Sequence, residues 1–243
     1  MKLIWDEAEN RLYETGVDRV VLFVMDGTKG KADSGGTVFT NYAEGKAWNG
    51  VTGITENPEG ADANDIYADN MKYLSLISVE NWKATIKAYT WPRKFNACQG
   101  EIEYNDGTYA GLFFGQQNHM KFGLAWRTIE GNAVKGDSYG YKLHVAYGLT
   151  AAPSEKDHAT VNDSPEATEY SWELNSIPDA FKTTVDEDDE LLAPTSHIVV
   201  ESVIDGVTNP GYAELENALF GTLSTNSYLP TPDQLAYIVS NAS

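Results

Sequence analysis

Apolar and polar residues alternate through most of this chain, and no other feature limits its fold so tightly. A strand sends successive side chains to opposite faces. In WKATIKAYT, Trp82, Ala84, Ile86 and Ala88 share one face, while Lys83, Thr85, Lys87 and Tyr89 share the other. In YKLHVAYG, Tyr141, Leu143, Val145 and Tyr147 alternate with Lys142, His144 and Ala146. EYSWEL sets Tyr170, Trp172 and Leu174 against Glu169, Ser171 and Glu173. DRVVLFVM and SHIVVESVI are β-branched runs that also read as strands. IEYNDGTYAG places Asn105, Asp106 and Gly107 between aromatic segments, as a hairpin turn requires. The chain is expected to be mainly β, built from antiparallel strands.

One segment has a different period. NPGYAELENALFG starts on Asn209 and Pro210, spaces Tyr212, Leu215 and Leu219 at helical intervals, and stops at Gly221. It predicts an amphipathic helix over about 209–220, laid against a sheet. A second, weaker helical pattern covers the end, where Pro232, Asp233 and Gln234 precede LAYIV. Two stretches interrupt the pattern: 27–41, rich in Gly, Lys and Ser, and 179–194, an acidic excursion. Neither carries a core of its own, and no internal repeat is present, so 1–243 reads as a single domain with a C-terminal arm over 222–243. A hydrophobic content of 42% excludes a disordered chain.

Charge narrows the function classes. The formal net charge is −19; residues 1–150 hold 19 acids against 15 bases, and residues 151–243 hold 17 acids against 2. Attraction to a phosphate backbone needs basic patches, so a nucleic-acid binder is not expected. The excess reads first as solubility, and second as a surface past which a polyanion moves without sticking. No apolar run approaches the roughly 20 residues of a membrane span, and the start, MKLIWDEAENR, shows no secretory pattern. Cys98 is the only cysteine, which fits synthesis in a reducing compartment.

Several stretches invite a chemical reading. Gly27–Gly36 suggests a phosphate loop, but only Thr28 and Lys29 separate Gly27 from Gly30-Lys31, and Ala32 replaces the required hydroxyl. Asp26 and Asp33 do not fit a calcium loop, and the DEDDE run Asp186–Glu190 reads as a solvated loop. The histidines, His119, His144, His158 and His197, are scattered and form no metal-ligand motif. His144 and His197 fall opposite the main apolar sets, as partly exposed sheet positions would. DHATVNDSPEA gathers Asp157, His158, Asp163, Ser164 and Glu166, yet Pro165 biases Ser164 to an extended conformation with no glycine nearby. Asn162, Asp163 and Ser164 are turn formers, so a strand connection is the better reading. The 6 Trp and 14 Tyr residues suit a sheet core and a subunit interface better than a sugar platform.

An ordered set of segments then carries a resemblance. They are YETGVDRVVLFV, GKAWNGVTGITENPEGA, IYADNMKYLSLIS with the ATIKAYTWP that follows, FNACQG, FGLAWRTIEGN, GYKLHVAYGLTAAPSEKDHATVNDSPEATEYSWEL, AELENALFG and YLPTPDQLAYI. Spread from about residue 13 to about residue 238, they resemble the major tail protein, or tail tube protein, of long-tailed, non-contractile bacteriophages. The resemblance implies a tail-tube-type β-sandwich or barrel with one flanking helix, long inter-strand loops and terminal arms. It implies homohexameric rings that stack into a hollow tube, with strands of neighbouring subunits closing a barrel around the lumen. Viral DNA would cross that lumen on ejection without specific binding.

The implied partners are copies of the chain itself, the tape measure protein and other tail proteins. The implied location is the virion tail, after synthesis in the bacterial cytoplasm. No enzymatic activity, cofactor or metal is implied. Gly27, Lys31, Gly36 and Asn41, with Asn162, Asp163, Ser164 and Pro165, are the expected subunit-contact positions. Loop 27–41 is expected between rings, and loop 179–194 on the outside. Two other classes remain open: a carbohydrate-binding β-sandwich, and a β-rich hydrolase using Asp157–Glu166.

Overall fold

The run Val20–Val24 is apolar without a break because both of its faces are covered: Val20, Leu22 and Val24 enter one core, Val21 and Phe23 another. A computed structural model describes residues 5, 7–25, 42–78, 80–104, 107, 111–156, 158, 160, 167–178 and 192–241. Among these, the strands are β1 (Leu12–Val24), β2 (Lys46–Ala47), β3 (Val51–Glu56), β4 (Ala63–Ala68), β5 (Met71–Ile77), β6 (Lys83–Ala88) and β7 (Ile102–Tyr104). They continue with β8 (Leu112–Phe114), β9 (Phe122–Asn132), β10 (Gly136–Pro153), β11 (Tyr170–Asn175), β12 (His197–Glu201), β13 (Val203–Ile204) and β14 (Val207–Thr208). Two helices follow, α1 (Pro210–Phe220) and α2 (Pro232–Asn241).

Eight strands form one antiparallel sheet in the order β2-β1-β9-β10-β11-β6-β3, with β12 also joined to β10. The long strand β10 serves two neighbourhoods. Its residues Lys142–Ala146 pair with β9 on one side and β12 on the other, whereas Thr150–Pro153 pair with β11. Between them the register shifts, and Gly148 sits at φ +61°. A Cβ there would lie 2.3 Å from the Ile177 carbonyl oxygen, so only glycine fits the corner. The freed Gly148 N–H donates to the buried Tyr42 hydroxyl at 2.9 Å.

This corner turns the sheet back over itself. Leu22, Phe122, Leu124 and Trp126 from one half then share a core with Ile86, Trp172 and Leu174 from the other. The motif FNACQG plugs that core: Phe95 and Cys98 are fully buried. The Trp172 indole donates to Gln99 at 2.9 Å, satisfying its polar edge in an otherwise apolar interior. Burial pushes the Cys98 thiol up to about 12, so it is a packing residue rather than a nucleophile. Although β1 and β3 approach each other, no ladder joins them. The expected barrel is therefore not closed within one chain.

The opposite face of the first half is covered by the helices. Phe23, Val145 and Tyr147 meet Leu215 and Leu219 of α1 and Leu235 of α2. Each such side chain contributes about 1.5–3 kcal/mol on full burial. The Asn209 side chain accepts from the Gly211 N–H at 3.0 Å and caps α1, and Gly221 ends it. At α2, Thr231 and Gln234 exchange side chain-to-backbone hydrogen bonds at 3.0 and 3.4 Å, a capping box. The chain thus has two C-terminal helices, the second where Pro232, Asp233 and Gln234 precede LAYIV, rather than the one flanking helix that the resemblance implies. Part of the stretch expected as an arm folds back, because Leu229 and Leu235 have a core to enter.

Candidate functional site

Two hairpins stand away from this body. In β4–β5, Ala63 pairs with Ile77 and Ile66 with Leu74. Both faces carry exposed apolar side chains: Leu74 and Leu76 alternate with Met71, Tyr73 and Ile77, and Tyr73 and Ile77 are 69% and 74% exposed. In β7–β8, Ile102 pairs with Phe114 and Tyr104 with Leu112, so these four share one face, and all are exposed. Arg93 ion-pairs with Glu103 and lies over the Phe113 ring at 5.6 Å, steadying the hairpin from its other face. The chain enters β6 from β4–β5 and leaves it toward β7–β8, so the hairpins root at opposite ends of that strand. Isolated two-stranded hairpins are marginal in water. Contiguous apolar surface of this kind marks an association site.

A second constellation lies at the mouth of the folded sheet, between β1, β3, β9, β10 and β12. His144 pairs in register with Trp126 on one side and Val199 on the other, and His197 with Ala146. These pairings bring residues far apart in sequence together: His144 Nδ1 lies 3.3 Å from His197 Nε2. Both rings stack on Trp126, with centroids at 5.0 and 5.5 Å and planes within 6°. Glu56, the last residue of β3, places Oε1 3.8 Å from His144 Nδ1 and Oε2 3.6 Å from His197 Nδ1. The Trp82 indole donates to Glu56 Oε2 at 3.0 Å. On its far side, His144 Nε2 meets Thr128 Oγ1 at 3.0 Å and Glu14 Oε1 at 3.5 Å. Burial and the neighbouring His197 lower the His144 pKa, and burial lowers that of His197 to about 4. Both imidazoles are therefore neutral near pH 7.

Lys142 completes the polar row, at 3.2, 3.3 and 3.6 Å from Glu201, Glu130 and Glu14. Beside the cluster, Glu14, Val17, Thr52, Ile54, Trp126 and Thr128 line a cleft of about 370 Å³ along the gap between β1 and β3.

The placement corrects the expectation for His144, whereas His197 is partly exposed as expected. His144 is only 6% exposed, because its face of β10 lies under the second half of the sheet while the other face lies under the helices. His158 is exposed, and His119 Nδ1 lies 3.0 Å from the Ala151 carbonyl oxygen, away from the pair. Gly27, Lys31, Gly36, Asn41, Asn162, Asp163, Ser164 and Pro165 lie outside the described residues, as do Asp157, Glu166 and Asp186–Glu190. IYADNMKYLSLIS, which carries most of β4–β5, is apolar on both alternating sets, and nothing among the described residues covers it. Among the described residues, no helix is long and apolar enough to cross a membrane. No family model matches the chain, and no curated protein matches it as a relative.

Proposed function

We propose that this chain is a tail tube subunit of a long-tailed, non-contractile bacteriophage, assembling as homohexameric rings that stack into a hollow tube. The observation that carries this reading is the β4–β5 hairpin, which is exposed and apolar on both faces. A neighbouring subunit would cover it. Because β4–β5 and β7–β8 are unlike and root at opposite ends of β6, a contact between β4–β5 of one copy and β7–β8 of the next would be heterologous. Heterologous contacts generate rings where the rotation closes and open stacks where it does not.

The open sheet supports the same reading. β3 and β12 are edge strands, and pairing between subunits would extend the folded sheet into the shared barrel of a tail-tube-type sandwich. The acidic balance would keep DNA from adsorbing to the lumen, since like charge gains nothing from phosphate. In this reading the protein is structural rather than catalytic, with viral DNA in transit, the tape measure protein inside, and the virion tail as its location. Negative-stain microscopy of the concentrated full chain tests it. Hollow tubes with a regular axial repeat are expected; persistent monomers at every salt concentration and in the presence of tail initiator proteins would overturn it.

A further inference from the structure

We propose that Glu56, His144 and His197 form a binding site for a divalent transition-metal ion of the zinc class, with water completing its coordination. A tetrahedral ion with bonds of roughly 2.0–2.1 Å holds its ligand atoms about 3.3 Å apart. His144 Nδ1 and His197 Nε2 already stand at 3.3 Å, and Glu56 Oε1 at 3.8 Å from the former. One ligand atom from each of the three residues lies within 4.8 Å of the others. Two imidazoles and one carboxylate select a zinc-class ion over calcium or magnesium, which prefer oxygen alone.

The surroundings are those a metal site needs. Thr128 and Glu14 sit behind the His144 Nε2 position, so that nitrogen has a carboxylate-backed partner while Nδ1 faces the centre. Trp82 holds Glu56 by Oε2 and leaves Oε1 directed at His144. Trp126 fixes both rings in parallel planes. Glu14 and Glu56 offset the cation's charge, and the cleft between β1 and β3 shares Glu14, Trp126 and Thr128 with the cluster, giving the ion a way in.

Such an ion links the two halves of the folded sheet. Glu56 ends β3, whereas the histidines belong to β10 and β12. It also sits at the root of the β4–β5 hairpin, which begins seven residues after Glu56 and is followed by Trp82. This site is independent of the tail tube reading, and its test does not require assembly.

Full-length protein stripped with a chelator is titrated with Co²⁺ and followed by visible absorption, then back-titrated with Zn²⁺. One Co²⁺ per chain, with the ligand-field bands of a low-coordinate nitrogen and oxygen site and displacement by Zn²⁺, is the expected result. Zn²⁺ also raises the melting temperature of the wild-type chain. Glu56→Gln, which keeps an oxygen for the Trp82 indole, is expected to weaken Co²⁺ binding by at least ~10-fold. Thr128→Val, which removes the partner at His144 Nε2 but no ligand atom, weakens it ~10-fold through His144. Absence of the bands in wild-type protein would overturn the site. So would bands that persist unchanged in both variants, since the ion would then bind elsewhere.

Discussion

Gly148 shows how much one residue decides. It combines a left-handed backbone, a register shift and a contact that leaves no room for a methyl group. Gly148→Ala is therefore expected to destabilise the chain by about 2 kcal/mol or more, read as a lower urea midpoint with the slope unchanged. The histidine pair sets a second expectation. Free histidine titrates at about 6.5. The folded chain holds His197 near 4 and lowers His144 as well, so below pH 6.5 the unfolded state binds protons that the folded state refuses. Stability contributed by the neutral His197 ring is complete above about pH 6.5 and is lost as pH falls toward 4, by about 1.4 kcal/mol per pH unit, and His144 adds to the loss in the same direction. Chelator-treated His197→Phe keeps a ring between Trp82 and Trp126, and should show a shallower decline across this window than wild type. Equal slopes in thermal melts would show that the pair does not titrate as described.

At the level of elements, the hairpins separate folding from association. Tyr73 and Leu76 lie on opposite faces of β5 and touch little of the body, being 69% and 54% exposed. Replacing both by Lys should leave the monomer's stability within about 0.5 kcal/mol of wild type. The same double variant should fail to form tubes under the microscope, and tubes of normal length would remove β4–β5 from the assembly surface. Much of the fold was legible in local pattern: Ala84, Ile86 and Ala88 face the core as their alternation predicts, and Asn209 and Gly221 bound α1 where their chemistry places them. The site was not. His144 and His197 are joined by the register of β10 on β12, a non-local pairing that no short window encodes. The switch of β10 between two partners hid in the same way, since Gly148 reads locally as any strand glycine until Ile177 is placed beside it.

For the whole molecule, two surface properties oppose each other. Exposed apolar hairpins favour association, while a net charge of −19 on every copy resists it. A hexameric ring would concentrate six times that charge, so the repulsion grows with assembly rather than cancelling. Its range depends on salt, with a screening length of about 30 Å at 0.01 M and about 3 Å at 1 M. The apolar contacts carry no charge to screen and persist as ionic strength rises. Tube formation by this protein is therefore expected to be slow at about 0.01 M salt and to accelerate several-fold toward about 0.5 M, with the critical concentration falling in parallel. Light scattering of the full chain, with microscopy of each endpoint, measures both. DNA added at the same salts should not co-sediment with the tubes, because neither state of screening turns an acidic surface into a phosphate-binding one. Assembly that weakens as salt is raised would mean that ion pairs, not the hairpins, hold the copies together.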